Sequence, residues 1–389
     1  MWYFRSPEVV FGVDALEHLQ TLSGKRAFIV TDAMMVQLGF VELVGTHLKR
    51  AGLEYGVFSE VEPEPSTRTI LTGAARMTDF GPDWVIGLGG GSAMDAAKAM
   101  WAVYENPGLD PEAINPFEPL TIRQKARLIT IPTTSGTGSE VTWATVITST
   151  DEQRKIGAGS PEILADIAIV DPILAQKMPP RLTADTGLDA LTHAVEGYTC
   201  NLHNDFTDGL CLQATRLIFD YLPRAVQNGD DLEAREKMHN AATLAGLGFG
   251  NAMAALAHSL GHSLGALFHV PHGRAVALFL PYTIQFIQNG GDETRFQDIS
   301  RFLGLPAASP EEGAASLVKA IRDLSAAVGQ PLTLRDALPD DRDAFDAALE
   351  QLVANAEADT VIAMGARIPT TGETRRLFQY AYDGKDIDF

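Results

Sequence analysis

Between Met238 and Gly273 the chain carries no Asp, Glu, Lys or Arg, yet this stretch holds five of the nine histidines, His239, His258, His262, His269 and His272. A run that long without charge has to be buried, in lipid or in the core of a large domain. It is long enough to span a bilayer, but Asn251, Ser259, Ser263, His258, His262 and repeated glycines make it a poor lipid-facing helix. The expectation is a buried central helix of a large soluble domain. An imidazole left there without a partner costs about 1 to 3 kcal/mol, so these rings need something to bind.

A second feature meets that need. Asp189-Ala-Leu-Thr-His193 sets a carboxylate and an imidazole four residues apart, one helical turn or about 6 Å along the same face. His258 is expected to head another helix, and Pro271-His272-Gly273 to stop it and turn the chain back. Asp189, His193, His258 and His272 together have the makings of a pocket for one divalent metal. One carboxylate with three imidazoles suits Fe, Zn, Mn, Co or Ni better than Ca or Mg, which prefer oxygen-only shells. An Asp with a His at i+4 is by itself more often a surface pair than a ligand set, and the histidine cluster is what changes the reading.

With 389 residues, 46% of them hydrophobic, the chain can bury sizeable cores, and two domains are expected. Fifty acidic against thirty basic residues leave a net charge of −20, which opposes binding to nucleic acid or anionic lipid. There is no low-complexity tract and no repeat at a fixed period. The amino terminus lacks a basic segment followed by an apolar core, so no secretory signal is read and a cytoplasmic location is expected. Cys200 and Cys211 are too few for a disulfide framework and read as reduced, packed thiols.

The first half alternates short apolar, β-rich runs with helical ones. Lys25–Thr31, Tyr55–Phe58, Trp84–Leu88 and Leu128–Ile131 read as buried parallel strands, with helical crossovers over 36–51, 67–80 and 92–105. From about Arg181 the texture turns to long Ala- and Leu-rich helices. The prediction is an α/β dinucleotide-binding domain with a parallel sheet over 1–179 and an all-α metal-binding and substrate domain over 180–389. Met178-Pro179-Pro180-Arg181 is read as a hinge between them, expected to let the halves close over substrate.

Two turns in the first half suit phosphate. Gly87-Leu88-Gly89-Gly90-Gly91-Ser92 runs from a strand into a helix beginning near Ser92, where backbone N–H groups and the positive helix end face an anion. The G-x-G-x-x-G pattern is not quite met, since Ser92 replaces its last glycine, and a simple turn is the competing reading. Pro132-Thr133-Thr134-Ser135-Gly136-Thr137-Gly138-Ser139-Glu140 offers five hydroxyls between apolar flanks, against the alternative of a solvated loop. Asp32, after the first of those strands, suits the two hydroxyls of an adenosine ribose and repels a 2′-phosphate, favouring NAD over NADP; a helix-capping Asp is the other reading.

These residues resemble the iron-dependent, or group III, alcohol dehydrogenases, whose fold is shared with dehydroquinate synthase and glycerol dehydrogenase. The resemblance covers nearly the whole chain. It rests on Gly89-Gly90-Gly91-Ser92-x-x-Asp95-x-x-Lys98, on Pro132 through Glu140, on Gly187-Leu188-Asp189-Ala190-Leu191-Thr192-His193-Ala194-x-Glu196, and on His258-x-x-x-His262-x-x-Gly265-x-x-x-x-x-Pro271-His272-Gly273. It implies a dehydroquinate synthase-like fold and makes Asp189, His193, His258 and His272 the metal ligands. It makes Asp32, Gly90, Gly91, Ser92, Asp95, Thr133, Thr134 and Lys155 contacts of the dinucleotide, with Gly89, Ser135 and Thr137 from the same two turns. His262 matches the family histidine that lies near the nicotinamide and is proposed to pass protons.

The activity so implied is hydride transfer between a small primary alcohol or diol and NAD, with NADP second. The substrate oxygen would sit on one divalent metal, Fe²⁺ in first place and Zn²⁺ as the alternative. A homodimer or larger assembly is implied as well, with Ser6–Gly12 supplying a β-strand across its interface. Many relatives carry Pro-Asn-Pro where this chain has Pro63-Glu64-Pro65, so Glu64 is left out of the site. His269 matches no family position and is expected to line the substrate pocket or to pack. Among alternatives, a dehydroquinate synthase-like lyase calls for Lys and Arg near the metal, of which the second half has few near its motifs. A maleylacetate reductase-like enzyme would have lost ligands this chain keeps. A hydroxy acid dehydrogenase shares the parts, and a non-enzymatic metal-binding protein would show no NADH turnover. Spacing does not single out the alcohol.

Overall fold

In a computed structural model of the chain, residues 3–150, 155–290, 294–338 and 342–389 are described. The chain divides into two compact units, Met1–Met178 and Pro179–Phe389.

The first unit is built on strands β1 (Glu8–Phe11), β2 (Arg26–Val30), β3 (Glu54–Phe58), β4 (Trp84–Gly89), β5 (Arg127–Pro132), β6 (Ala144–Thr148), β7 (Lys155–Gly159) and β8 (Ile167–Val170). Six of them form one parallel sheet in the order β1-β8-β5-β4-β2-β3, while β6 and β7 pair antiparallel by themselves. The central strands are apolar on both faces, with Val85, Ile86, Leu88, Ile129 and Ile131 fully buried, because helices cover the sheet. Between strands run α1 (Ala33–Gln37), α2 (Phe40–Arg50), α3 (Thr67–Phe80) and α4 (Gly91–Glu105). The helix expected over 36–51 is two pieces, since the backbone turns left-handed at Gly39, with φ of 79°. The chain leaves β2 for β3 on one side and returns to β4 on the other, so the switch in direction falls between the carboxyl ends of β2 and β4. Open α/β sheets bind ligands at such points.

Within the chain, β1 pairs in parallel with β8, Glu8 opposite Ile167 and Phe11 opposite Val170, and stands at the edge of the sheet with Phe11 exposed.

The second unit is all-helical among the described residues. It comprises α5 (Pro180–Thr199), α6 (Asp205–Gln227), α7 (Leu232–Gly250), α8 (Leu256–Phe268), α9 (His272–Gly290), α10 (Phe296–Leu303), α11 (Pro310–Ala327), α12 (Leu334–Ala337), α13 (Arg342–Ala358) and α14 (Thr371–Asp383). Pro179 and Pro180 start α5, where a missing N–H costs nothing. The charge-free run is not one central helix. It is the end of α7, all of α8 and the start of α9, broken after Gly250 and again at His269, whose φ of 54° ends α8. The apolar surfaces of α5, α6, α7, α8 and α9 share one core with Leu188, Leu191, Leu260 and Phe279. That burial, and not lipid, accounts for the missing charge. Among the described residues, no helix is long and apolar enough to cross a membrane.

Candidate metal centre and dinucleotide turns

Helix α5 carries Asp185, Asp189, His193 and Glu196 on successive turns of one face, all buried. Asp189 Oδ1 lies 3.9 Å from His193 Nε2, 3.9 Å from His258 Nε2 and 3.4 Å from His272 Nε2. The four ligand atoms all fall within 4.8 Å of one another. Asp189 Oδ1 and His258 Nε2 are buried and have no hydrogen-bond partner. A carboxylate oxygen so placed among imidazole nitrogens fits a divalent cation, which satisfies the carboxylate and the rings at once. Each ligand comes from a different turn or helix: α5 gives Asp189 and His193, α8 gives His258, and α9 begins with His272. The Pro271-His272-Gly273 turn therefore does not stop α8, which ends at His269, but opens the next helix with a candidate ligand.

Supporting residues hold those ligands. Glu196 accepts from the backbone N–H of Ala255 at 2.8 Å and of Ala257 at 2.5 Å, and its Oε2 lies 2.6 Å from His258 Nδ1. A carboxylate on Nδ1 leaves Nε2 as the free nitrogen facing Asp189. Arg274 makes a buried two-pronged bond to Asp185, Nε to Oδ1 at 3.0 Å and Nη2 to Oδ2 at 2.9 Å, with Gln330 also on Nε. This ties α9 to α5 one turn before Asp189. The His193 ring lies flat on Phe249, centroids 4.0 Å apart, and stacks on His258 at 4.6 Å.

Burial pushes the Asp189 carboxyl up to about 7, partly offset by His258. At His258 burial disfavours the charged ring, but Glu196 and then Asp189 outweigh it and its pKa is raised. A divalent cation acts on both groups in the opposite direction, favouring carboxylate and neutral imidazole.

His262, one turn beyond His258, stands at the rim of the centre, its side chain 44% exposed. Its ring stacks on His272 at 5.2 Å and meets His258 edge-on at 5.7 Å, and Nδ1 lies 2.7 Å from Asp359 Oδ2. His269 neither packs nor lies among the clustered ligands: it is exposed and ends α8 in the left-handed conformation, which His adopts more readily than most residues.

In the first unit the two glycine- and hydroxyl-rich turns are bound to each other. Thr133 N–H donates to Gly89 C=O at 2.9 Å, and a Cβ on Gly91 would lie 3.3 Å from Thr137 Oγ1. No side chain caps the first turn of α4, so its leading amides keep their capacity for an anion. Thr134 Oγ1, beside Gly90, is shielded and has no hydrogen-bond partner. Ser135 is buried within its turn. Asp32 is the N-cap of α1, its Oδ1 accepting from Met34 and Met35 N–H. Its Oδ2 would lie 3.6 Å from a Cβ on Gly89, so the capping carboxylate also borders the switch point.

Asp95 also joins the two turns to their surroundings. Its Oδ1 accepts from Ser139 Oγ at 2.5 Å and its Oδ2 from Val146 N–H at 2.9 Å, and Lys98, wholly buried, donates to Ser139 Oγ and Ala144 C=O, both at 2.8 Å. Both side chains weld α4 to the second turn. Glu64 is exposed with φ of 61°, and its N–H reaches Ser92 Oγ at 3.4 Å. Lys155 opens β7, and its side chain lies outside the described residues.

Sequence reasoning had Glu196 in view inside a motif but gave it no role, although three residues beyond His193 it had to share the ligand face. Asp359 sends no such signal, being 97 residues from His262.

The family model for iron-containing alcohol dehydrogenase matches residues 6–172, and that for the C-terminal part of the Fe-containing alcohol dehydrogenase family matches residues 183–382. The chain is 40% identical to the NADPH-dependent butanol dehydrogenase of Clostridium saccharobutylicum, over 98% of each chain. It is 39% identical to the aldehyde-alcohol dehydrogenase of Streptococcus pneumoniae serotype 2, matching 98% of this chain and 46% of that longer protein. The iron-containing alcohol dehydrogenase of Thermococcus thioreducens superposes with a TM-score of 0.91 at 31% identity, covering 99% of this chain and 100% of that one.

Proposed function

The chain belongs to the iron-containing alcohol dehydrogenase family, and on that premise we propose that it moves hydride between a small primary alcohol or diol and NAD, with the aldehyde as the reverse substrate. The observation that carries this reading is the buried, unpartnered Asp189 Oδ1 with His193, His258 and His272 around it. When bound there, a divalent metal supplies Lewis-acid polarisation of the substrate oxygen. We assign Fe²⁺ first and Zn²⁺ second, on the family's description and on a ligand set that accepts either.

The chain's own residues do the rest. Glu196 holds the His258 ring so that Nε2 faces Asp189, and the Arg274–Asp185 pair fixes α9 and His272 against α5. His262 borders the site with Nδ1 on Asp359, which leaves Nε2 as the atom to accept the hydroxyl proton of the alcohol. The turns after β4 and β5 are suited to the pyrophosphate, through open amides at the head of α4 and the Thr134 hydroxyl. Asp32 supports NAD over NADP, because a carboxylate at the switch point accepts from ribose hydroxyls and repels a 2′-phosphate. The NADPH dependence in the name of the butanol dehydrogenase belongs to that relative. We further infer a cytoplasmic protein, consistent with the buried free thiols Cys200 and Cys211, acting as a homodimer or larger assembly.

The test is anaerobic loading with Fe²⁺ or Zn²⁺ and measurement of NADH absorbance against a panel of alcohols and aldehydes. Turnover that disappears together with bound metal in His258→Ala supports the reading. Bound metal and bound NAD without turnover of any small carbonyl overturns it. Asp32→Gly is expected to improve the use of NADP, and equal preference in both proteins removes Asp32 from cofactor choice.

A further inference from the structure

His262 is held by more than its own helix. Ser259 and Ser263, which flank it on α8, donate buried hydrogen bonds to Ala356 C=O at 2.9 Å and Leu352 C=O at 2.7 Å on α13. The two helices are cross-tied at both ends of the turn that carries the histidine. Asp359 follows the end of α13, where its backbone N–H bonds to Ala356 C=O at 3.2 Å and its Oδ1 accepts from Val361 N–H at 3.1 Å. That leaves Oδ2, which lies 2.7 Å from His262 Nδ1. On its other side the ring is flanked by His272 and His258. Carboxylate, helix pair and neighbouring rings together leave the imidazole little freedom of orientation.

We propose that Asp359 is a positioning residue: by accepting the Nδ1–H of His262 it fixes the tautomer in which Nε2 keeps its lone pair, turned to the proton that the substrate alcohol gives up. The inference rests on the role given to His262 above and deepens it. In the oxidation direction the substrate O–H bond breaks and an Nε2–H bond forms, while the C–H electron pair leaves with its hydrogen to the nicotinamide C4 of NAD. Charge and atoms balance with no other reactant. An ionised Asp359 demands a donor at Nδ1, and burial of its carboxyl is outweighed by the His262 bond, which holds it below the usual carboxylate range. A histidine oriented by a carboxylate in this way is selected for one nitrogen as acceptor and the other as donor.

Three single variants of Asp359, one double variant and a spectrum decide it. Asp359→Asn offers an amide donor to Nδ1 and favours the opposite tautomer; kcat is expected to fall about 10- to 100-fold, with KM for NAD and bound zinc within about twofold of the parent. Asp359→Ser keeps an oxygen for Val361 N–H but cannot reach the ring, so it should lose rate as well. Asp359→Glu should recover part of it. The double variant His262→Ala/Asp359→Asn should be no slower than His262→Ala alone. In zinc-loaded protein labelled with ¹⁵N-histidine, the His262 resonances, assigned by their loss in His262→Gln, should show protonated Nδ1 in the parent and protonated Nε2 in Asp359→Asn. Parental kcat in Asp359→Asn or Asp359→Ser, losses that multiply in the double variant, or protonated Nε2 in the parent would each overturn the proposal. A parent protein that turns over no alcohol would instead defeat the functional reading, and the nitrogen spectrum would still decide the tautomer.

Discussion

Glu196 shows how one side chain can set both a helix and a ligand. Helix α8 has Ala255 at its N-cap and so no capping side chain of its own, and Glu196 of α5 takes that place by accepting from Ala255 and Ala257 N–H. The same carboxylate meets His258 Nδ1. Replacing it by Gln keeps the volume but substitutes a donor for one acceptor, so Glu196→Gln should lower zinc affinity about 10- to 100-fold, measured by competition with a chromogenic chelator. Unchanged affinity would mean that His258 is oriented by packing alone.

The joint between α5 and α9 places His272 beside Asp189. Gly273 stands where a Cβ would overlap the Asp185 carbonyl oxygen and lie 2.9 Å from Asp189 Cβ, so only glycine permits this approach. Gly273→Ala should cost about 1 to 3 kcal/mol and weaken metal binding, read by thermal melts with and without zinc. Arg274→Met should cost about 3 to 5 kcal/mol in urea unfolding, because it strands the buried Asp185 carboxylate. The double change Asp185→Leu/Arg274→Met should recover much of that loss, and a double variant as unstable as the single one would show that volume, not charge, is at stake. Element boundaries in the sequence were legible where apolar runs met Gly or Pro, as at Trp84–Gly89 and Pro180. They were misread where local chemistry is silent. A long charge-free run such as Met238–Gly273 reveals burial but not that a left-handed His269 cuts it.

Across the whole molecule, the candidate metal centre couples stability to pH. Burial raises the Asp189 carboxyl from its ordinary 3.8 to about 7, and the His258 ring is raised above 6.5 by Glu196 and Asp189 despite its burial. The unfolded chain loses both effects, so between those values the folded chelator-treated protein holds more protons than the unfolded one. Its stability should therefore fall as pH rises, for Asp189 through about pH 4 to 7 and for His258 above about 6.5. A divalent cation replaces those protons, and the rise in melting temperature on adding Zn²⁺ should grow between about pH 5 and 8. A gain that stays level or shrinks over that range would contradict the burial assigned to Asp189. The net charge of −20 adds a separate expectation of higher melting temperature at moderate salt, since screening relieves self-repulsion.

The sequence by itself determined the division into a parallel α/β half and a helical half, the two hydroxyl- and glycine-rich turns, and the four candidate ligands Asp189, His193, His258 and His272. Each of these depends on periodicity, on backbone freedom or on residue chemistry within a few positions. Tertiary structure alone decided that β1 joins its own sheet, that Asp95 and Lys98 bind the turns together, and that Asp359 and Glu196 orient the histidines. Partners such as Asp359 and His262 are separated by 97 residues, and a hydrogen bond depends on distance and direction in space, which the order of residues along a chain does not record.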